Sequence, residues 1–99
     1  MILFTRTVGI AQGMQAGAIA QAKTVADFIN KNYGMELYVG VPIGGNPLRV
    51  TWAGRYDNLA AMEDMFDKLA GDADYAALVA KGLDNYVTGT MEDRILKVI

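Results

Sequence analysis

Between Met35 and Asp57 the chain alternates with period two, and Gly44-Gly45-Asn46-Pro47 lies at the midpoint, so the stretch reads as a β-hairpin. Setting Gly44 against Pro47 makes paired positions sum to 91. Ile43 then faces Leu48, Val41 faces Val50, Val39 faces Trp52, Leu37 faces Gly54 and Met35 faces Tyr56, all on one side. The other side pairs Pro42 with Arg49, Gly40 with Thr51, Tyr38 with Ala53 and Glu36 with Arg55, the last of opposite charge. A slip of one residue would mix the two sets, which is what pins the register. The hairpin thus carries one wholly apolar surface that must be covered.

The flanking segments supply the cover. Residues 1–10, rich in Ile, Phe, Thr and Val, form a first strand that ends at the turn Gln12-Gly13. From Met14 to about Tyr33 the apolar residues Met14, Ala18, Ala22, Val25 and Ile29 recur at helical spacing, and Gly34 closes the helix in the left-handed conformation. After the hairpin, Asp57-Asn58 offers an N-cap to a second helix carrying Leu59, Met62, Phe66 and Leu69. Gly71-Asp72 interrupts that helix, and Asp72 or Asp74 caps a continuation through Tyr75, Leu78, Val79 and Leu83 towards Tyr86. Thr88-Gly89-Thr90 turns into a last strand, Glu92 to Ile99, whose Ile95, Leu96, Val98 and Ile99 suit a sheet covered on both sides. Strand, helix, strand, strand, helix, strand is the order of an α+β, ferredoxin-like βαββαβ sandwich: one domain over residues 1–99, a four-stranded antiparallel sheet and helices on one face.

Composition narrows the chemistry. The chain has no histidine and no cysteine, which removes imidazole ligation, His-based triads and thiol nucleophiles. A metal site would need carboxylates alone, and Asp64, Asp67, Asp72 and Asp74 read as caps or solvated side chains, so no metal and no cofactor is expected. The net charge of −2 comes from charges scattered along the chain, without a basic run to track phosphates, and argues against nucleic acid. Gly40 to Gly45 lacks the following Lys-Ser or Lys-Thr and the helix of a phosphate loop. The apolar start Met1-Ile2-Leu3-Phe4 is too short for a signal-peptide core and no stretch is long enough for a membrane span, so a soluble, cytoplasmic protein without membrane contact is expected.

Three stretches carry a family resemblance: Thr51-Trp52-Ala53-Gly54-Arg55-Tyr56 entering Asn58-Leu59-Ala60-Ala61-Met62-Glu63, the run Leu69 to Lys81, and the closing Met91-Glu92-Asp93-Arg94-Ile95-Leu96-Lys97-Val98. Through them the sequence resembles the dimeric α/β-barrel superfamily, and within it the NIPSNAP-like group. The resemblance implies two protomers packed sheet against sheet, with a pocket in each between sheet and helices. Members range from cofactor-free monooxygenases through haem-degrading enzymes, which commonly hold iron through histidine, to proteins of unknown role. These motifs specify a scaffold, and a shared scaffold does not transfer a reaction.

The candidate pocket is therefore assembled from residues that register and helical periodicity bring under the helices: Trp52, Tyr56, Met14, Met62 and Phe66. Such residues line an apolar ligand cavity or simply fill a core. Arg6 joins them because it interrupts the apolar set Ile2, Phe4, Val8 and Ile10 on a central strand, where an unpaired charge is costly; it lies at the rim of a pocket or at a dimer interface. Tyr33, Tyr38, Arg49 and Arg55 are further polar anchors, able to orient a carboxylate or phenolate. The uncovered sheet face, with Tyr38, Gly40, Pro42, Thr51 and Ala53, suits burial against a second copy. The leading expectation is a homodimer of undetermined role that binds a small apolar or aromatic molecule between sheet and helices. A cofactor-independent monooxygenase acting on a phenolic or enolic substrate is the second reading, and a structural dimer with a filled core is the third. No residue is singled out as catalytic.

Overall fold

All four expected strands form and join in one antiparallel sheet. The computed structural model describes residues 1–99. Its elements are β1 (Ile2–Gly9), α1 (Gln15–Tyr33), β2 (Tyr38–Gly40), β3 (Arg49–Tyr56), α2 (Leu59–Ala70), α3 (Ala73–Lys81) and β4 (Glu92–Lys97), with a short 3-10 turn at Leu83–Asn85. The sheet order is β2-β3-β1-β4, which puts β1 and β3 in the centre and makes this a ferredoxin-like α+β fold. No helix is long and apolar enough to cross a membrane.

The hairpin register is the one that alternation dictates: Tyr38 pairs with Ala53, Val39 with Trp52 and Gly40 with Thr51. Its length is not. The ladder stops at Gly40, and Ile43 is fully exposed, so the expected pairs Val41–Val50 and Ile43–Leu48 do not form. One cause is visible: Pro42 has no N–H to donate to a ladder. At the other end Asn30, on α1, acts as a substitute strand: its side-chain amide donates to the carbonyl of Leu37 at 3.1 Å and accepts the Leu37 N–H at 2.8 Å. Leu37 still sits opposite Gly54, where an added Cβ would overlap the leucine side chain. The absence of a side chain at Gly54 lets the two strands close here. Glu36 and Arg55 meet at 3.9 Å in an exposed, weak ion pair.

α1 buries Ala18, Ala22, Val25, Ala26 and Ile29 and ends at Gly34, whose φ of +66° and bond to the Asn30 carbonyl close the helix. Two ring side chains tie it to the rest of the fold. Trp52 donates its indole N–H to the Ala22 carbonyl at 3.0 Å, and Tyr86 donates its hydroxyl to the Ala18 carbonyl at 2.9 Å. Trp52 and the apolar hairpin surface therefore face the helices. Asn58 caps α2 by accepting from the N–H of Ala61, and Asp72 caps α3 by accepting from the N–H of Tyr75. Gly71 separates these two helices where the sequence places the break.

β4 departs from expectation. It ends at Lys97, two residues early, and every one of its residues is exposed, including Ile95 and Leu96, because it is an edge strand that the helices leave bare. The opposite sheet surface carries Leu3, Thr5, Thr7, Thr51 and Ala53, all half-buried, with Thr7 and Thr51 sharing a hydroxyl hydrogen bond of 2.7 Å.

The core under the helices is in two pieces. Val8, Ile10, Ala18, Ala22 and Val50 form one cluster. Ile2, Phe4, Tyr56 and Met62 form the other.

Candidate functional site

Alternation along β1 points Ile2, Phe4, Arg6 and Val8 to the helical side, opposite Tyr56, Gly54, Trp52 and Val50 of β3. Ile2 and Phe4 belong to one core cluster and Val8 to the other. Arg6 stands between them. Where it stands the core opens into a cavity of about 730 Å³, within the range of small-molecule sites. Sixteen of the twenty residues around it are hydrophobic, and Arg6 is the only charged one. α1 contributes Val25 and Ile29, α2 contributes Phe66 and Leu69, α3 contributes Tyr75 and Val79, and β3 contributes Trp52 and Tyr56. Leu83, Val87 and Met91, all largely exposed, mark the mouth.

Arg6 is not left unpaired. Antiparallel pairing sets it directly across from Asp93 on β4, and the two side chains form a fork, Nε to Oδ1 at 2.7 Å and Nη2 to Oδ2 at 2.8 Å. The guanidinium also lies 5.5 Å from the ring centre of Phe4 and 5.8 Å from that of Phe66, within cation–π reach. The hydrogen bond to Asp93 raises the Arg6 pKa further, against the cost of burial, and the same bond holds the Asp93 carboxyl below its ordinary value. Nη1 makes no hydrogen bond to the protein.

Two tyrosines share this wall. Burial pushes the hydroxyls of Tyr56 and Tyr75 above the ordinary tyrosine value, while the charge of Arg6 pulls both down. Neither hydroxyl bonds to the protein and neither is sealed from solvent, and both residues line the cavity. Phe4, Tyr56 and Phe66 pack edge to face around that corner, with ring centres 5.1 to 6.5 Å apart. Of the other donors around the cavity, Gln21 gives an amide N–H to the Leu78 carbonyl at 2.8 Å, Trp52 and Tyr86 bond to carbonyls of α1, and the Thr88 hydroxyl makes no hydrogen bond to the protein. The side chains around the cavity with donors not already committed to the backbone are thus Arg6, Tyr56, Tyr75 and Thr88.

Of the six residues the sequence nominates, the structure brings Arg6, Trp52, Tyr56 and Phe66 together around this space. Met14 and Met62 are corrections. Met14 precedes the first turn of α1 with non-helical backbone and is exposed, so helical spacing does not carry it onto the buried stripe. Met62 is buried among Ile2, Phe4 and Tyr56, where it fills core instead of lining a void. Sequence reasoning missed Asp93, Tyr75, Val79 and Leu37. Asp93 has no local signal, since only the β1–β4 register of the folded sheet sets it opposite Arg6. Arg49 and Arg55 lie on the sheet surface away from the helices, and Tyr33 bonds to Asp72 at the α1–α3 seam.

No protein-family model matches this chain, and no curated protein matches it in sequence. Solved structures do. An uncharacterized NIPSNAP domain protein from Burkholderia xenovorans superposes with a TM-score of 0.84 at 19% identity, over 100% of this chain and 95% of that one. The fold is NIPSNAP-like. A NIPSNAP family protein from Agrobacterium tumefaciens follows the same path with a TM-score of 0.78 at 20% identity, covering 99% of this chain and 85% of its own. The NIPSNAP-like fold extends further, to an antibiotic biosynthesis monooxygenase with a TM-score of 0.73 at 8% identity, over 100% of this chain and 99% of the other. Identities this low establish shared architecture and no shared reaction.

Proposed function

We propose that this protein binds a small, largely apolar or aromatic molecule in the cavity between sheet and helices, and does so as a homodimer packed through the uncovered sheet face. The observation that carries the first half is the void itself. A chain of 99 residues has little interior to spare, yet about 730 Å³ of it is left open between two core clusters, with aromatic walls and a few converging polar groups. The half-buried Leu3, Thr5, Thr7, Thr51 and Ala53 support the second half, since the centre of that face is uncharged while Arg49, Arg55, Glu92 and Arg94 lie at its margins.

Trp52 is the only tryptophan and lines the cavity, so its emission reports occupancy. Titration with 1-naphthol should change that emission saturably, and Val79→Trp or Val79→Phe, which fill the space, should abolish saturable naphthol binding measured by calorimetry. Binding that survives both substitutions would place the ligand elsewhere. Sedimentation equilibrium should give twice the chain mass, and a charge at the sheet centre, Thr51→Glu, should give the monomer.

A second reading is a cofactor-independent monooxygenase, favoured by Arg6 and two tyrosine hydroxyls at one apolar wall, an arrangement able to stabilise an enolate or phenolate formed away from water. Oxygen uptake with polyphenol or enolic substrates, lost in Tyr56→Phe, would favour it. Binding without oxygen uptake leaves the protein as a binder.

A further inference from the structure

The charge balance around Arg6 selects among ligands. A lone guanidinium in an apolar cavity would be a receptor for carboxylates, through the planar fork that Arg offers to two oxygens. Here one edge of it is already taken and its charge is balanced. Asp93, on the exposed edge strand beside the cavity, occupies Nε and Nη2 at 2.7 and 2.8 Å, and Arg6 is the only charged residue that lines the space. An incoming carboxylate would shed its water to meet a pair with no net charge and would lie close to the carboxylate of Asp93, so attraction and repulsion cancel while the desolvation cost remains. What stays on offer is hydrogen bonding from a pair without net charge: both N–H groups of Nη1, the second of Nη2, and the hydroxyls of Tyr56 and Tyr75.

From this arrangement we infer that Asp93 is a specificity-determining residue, and that the cavity takes uncharged aromatic molecules carrying a carbonyl-type acceptor while rejecting aromatic carboxylates of the same shape. The inference rests on the proposed ligand-binding role of the cavity and goes beyond it by naming the ligand class. Asp93 acts through Arg6. It holds the guanidinium against the β4 side, fixes which N–H groups point into the cavity, and cancels the field that would draw anions in.

The test compares two nearly isosteric probes, 2-acetylnaphthalene and 2-naphthoate, by calorimetry at neutral pH. The wild-type protein should bind the ketone about tenfold or more tightly than the acid. Asp93→Asn keeps the shape, removes the countercharge and should reverse the order, with naphthoate gaining about tenfold or more. Asp93→Glu should keep the wild-type order, and Asp93→Ser, which also lacks the charge, repeats the reversal if Asp93→Asn folds poorly. Equal or tighter naphthoate binding by the wild type, or a ratio unmoved by removing the charge, would overturn the inference while leaving cavity binding intact. If neither probe binds the wild type, and 1-naphthol also fails, the binding role falls and this inference falls with it.

Discussion

Tyr33 and Asp72 join the end of α1 to the start of α3 through one carboxylate. The tyrosine hydroxyl donates to Oδ2, while Oδ1 accepts the N–H of Tyr75 and caps the helix. The hydroxyl bond, then the cap, hold Asp72 below its ordinary value, and the bond to Asp72 lifts Tyr33 above its own.

A carboxyl whose folded pKa is depressed adds stability above its unfolded pKa and loses it as pH falls through the folded one. A tyrosine whose folded pKa is raised adds stability below its unfolded pKa and loses it as pH rises through the folded one. Tyr33→Phe should therefore be less stable than wild type between those limits. The two stability curves should converge below the carboxylate range and above the tyrosine range. Denaturant unfolding at a series of pH values, with the Asp72 carboxyl followed by NMR, checks this; a constant difference across all pH would refute it.

The bond from Trp52 to the Ala22 carbonyl fastens the hairpin to α1. Replacing the indole with Trp52→Phe removes the donor and part of the ring, and should cost about 1–3 kcal/mol of unfolding free energy in urea.

Asn30 makes two hydrogen bonds to the backbone of Leu37, and Asn30→Ala removes both. A loss of about 1–2 kcal/mol is expected. Because the effect is local, the Leu37 amide should exchange with deuterium faster than its neighbours in β3, which keep their ladder bonds. Unchanged Leu37 exchange would show that the side-chain amide is dispensable.

Met62 is buried in the core cluster and does not face the cavity. Truncation by Met62→Ala should cost about 2–4 kcal/mol through the hole it leaves. Probe affinity should fall as well, by a smaller factor, because Met62 packs against Phe4 and Tyr56, which line the cavity.

How far the sequence foretells this structure depends on how local the cause is. Val39 meets Trp52 as the alternation requires, because a strand slipped by one residue would turn its greasy side to water. Asn58, Gly34 and the break at Gly71 follow from capping chemistry that reads over three or four residues. Arg6 is conspicuous because one charge interrupts an apolar strand, and it does mark the opening in the core. Its partner Asp93 lies 87 positions away, at a pairing that only the folded sheet creates. Tyr75 and Val79 line the wall because α3 packs beside α1, a long-range arrangement that helical spacing does not specify. Met14 fails for the simplest reason: its spacing suits the helix, but the helix starts one residue later. Ile95 and Leu96 are apolar without being covered, since composition cannot tell an edge strand from a central one.

The separation of the interior into two clusters, with Arg6 between them, has a thermodynamic corollary. An occupant would bridge halves that the polypeptide alone keeps apart, supplying the missing middle of the domain. Any occupant that prefers the native chain would then raise the melting temperature in proportion to the logarithm of its concentration once well above its dissociation constant. Heating the protein against a panel of candidate molecules turns that incompleteness into an assay in which no turnover has to be observed.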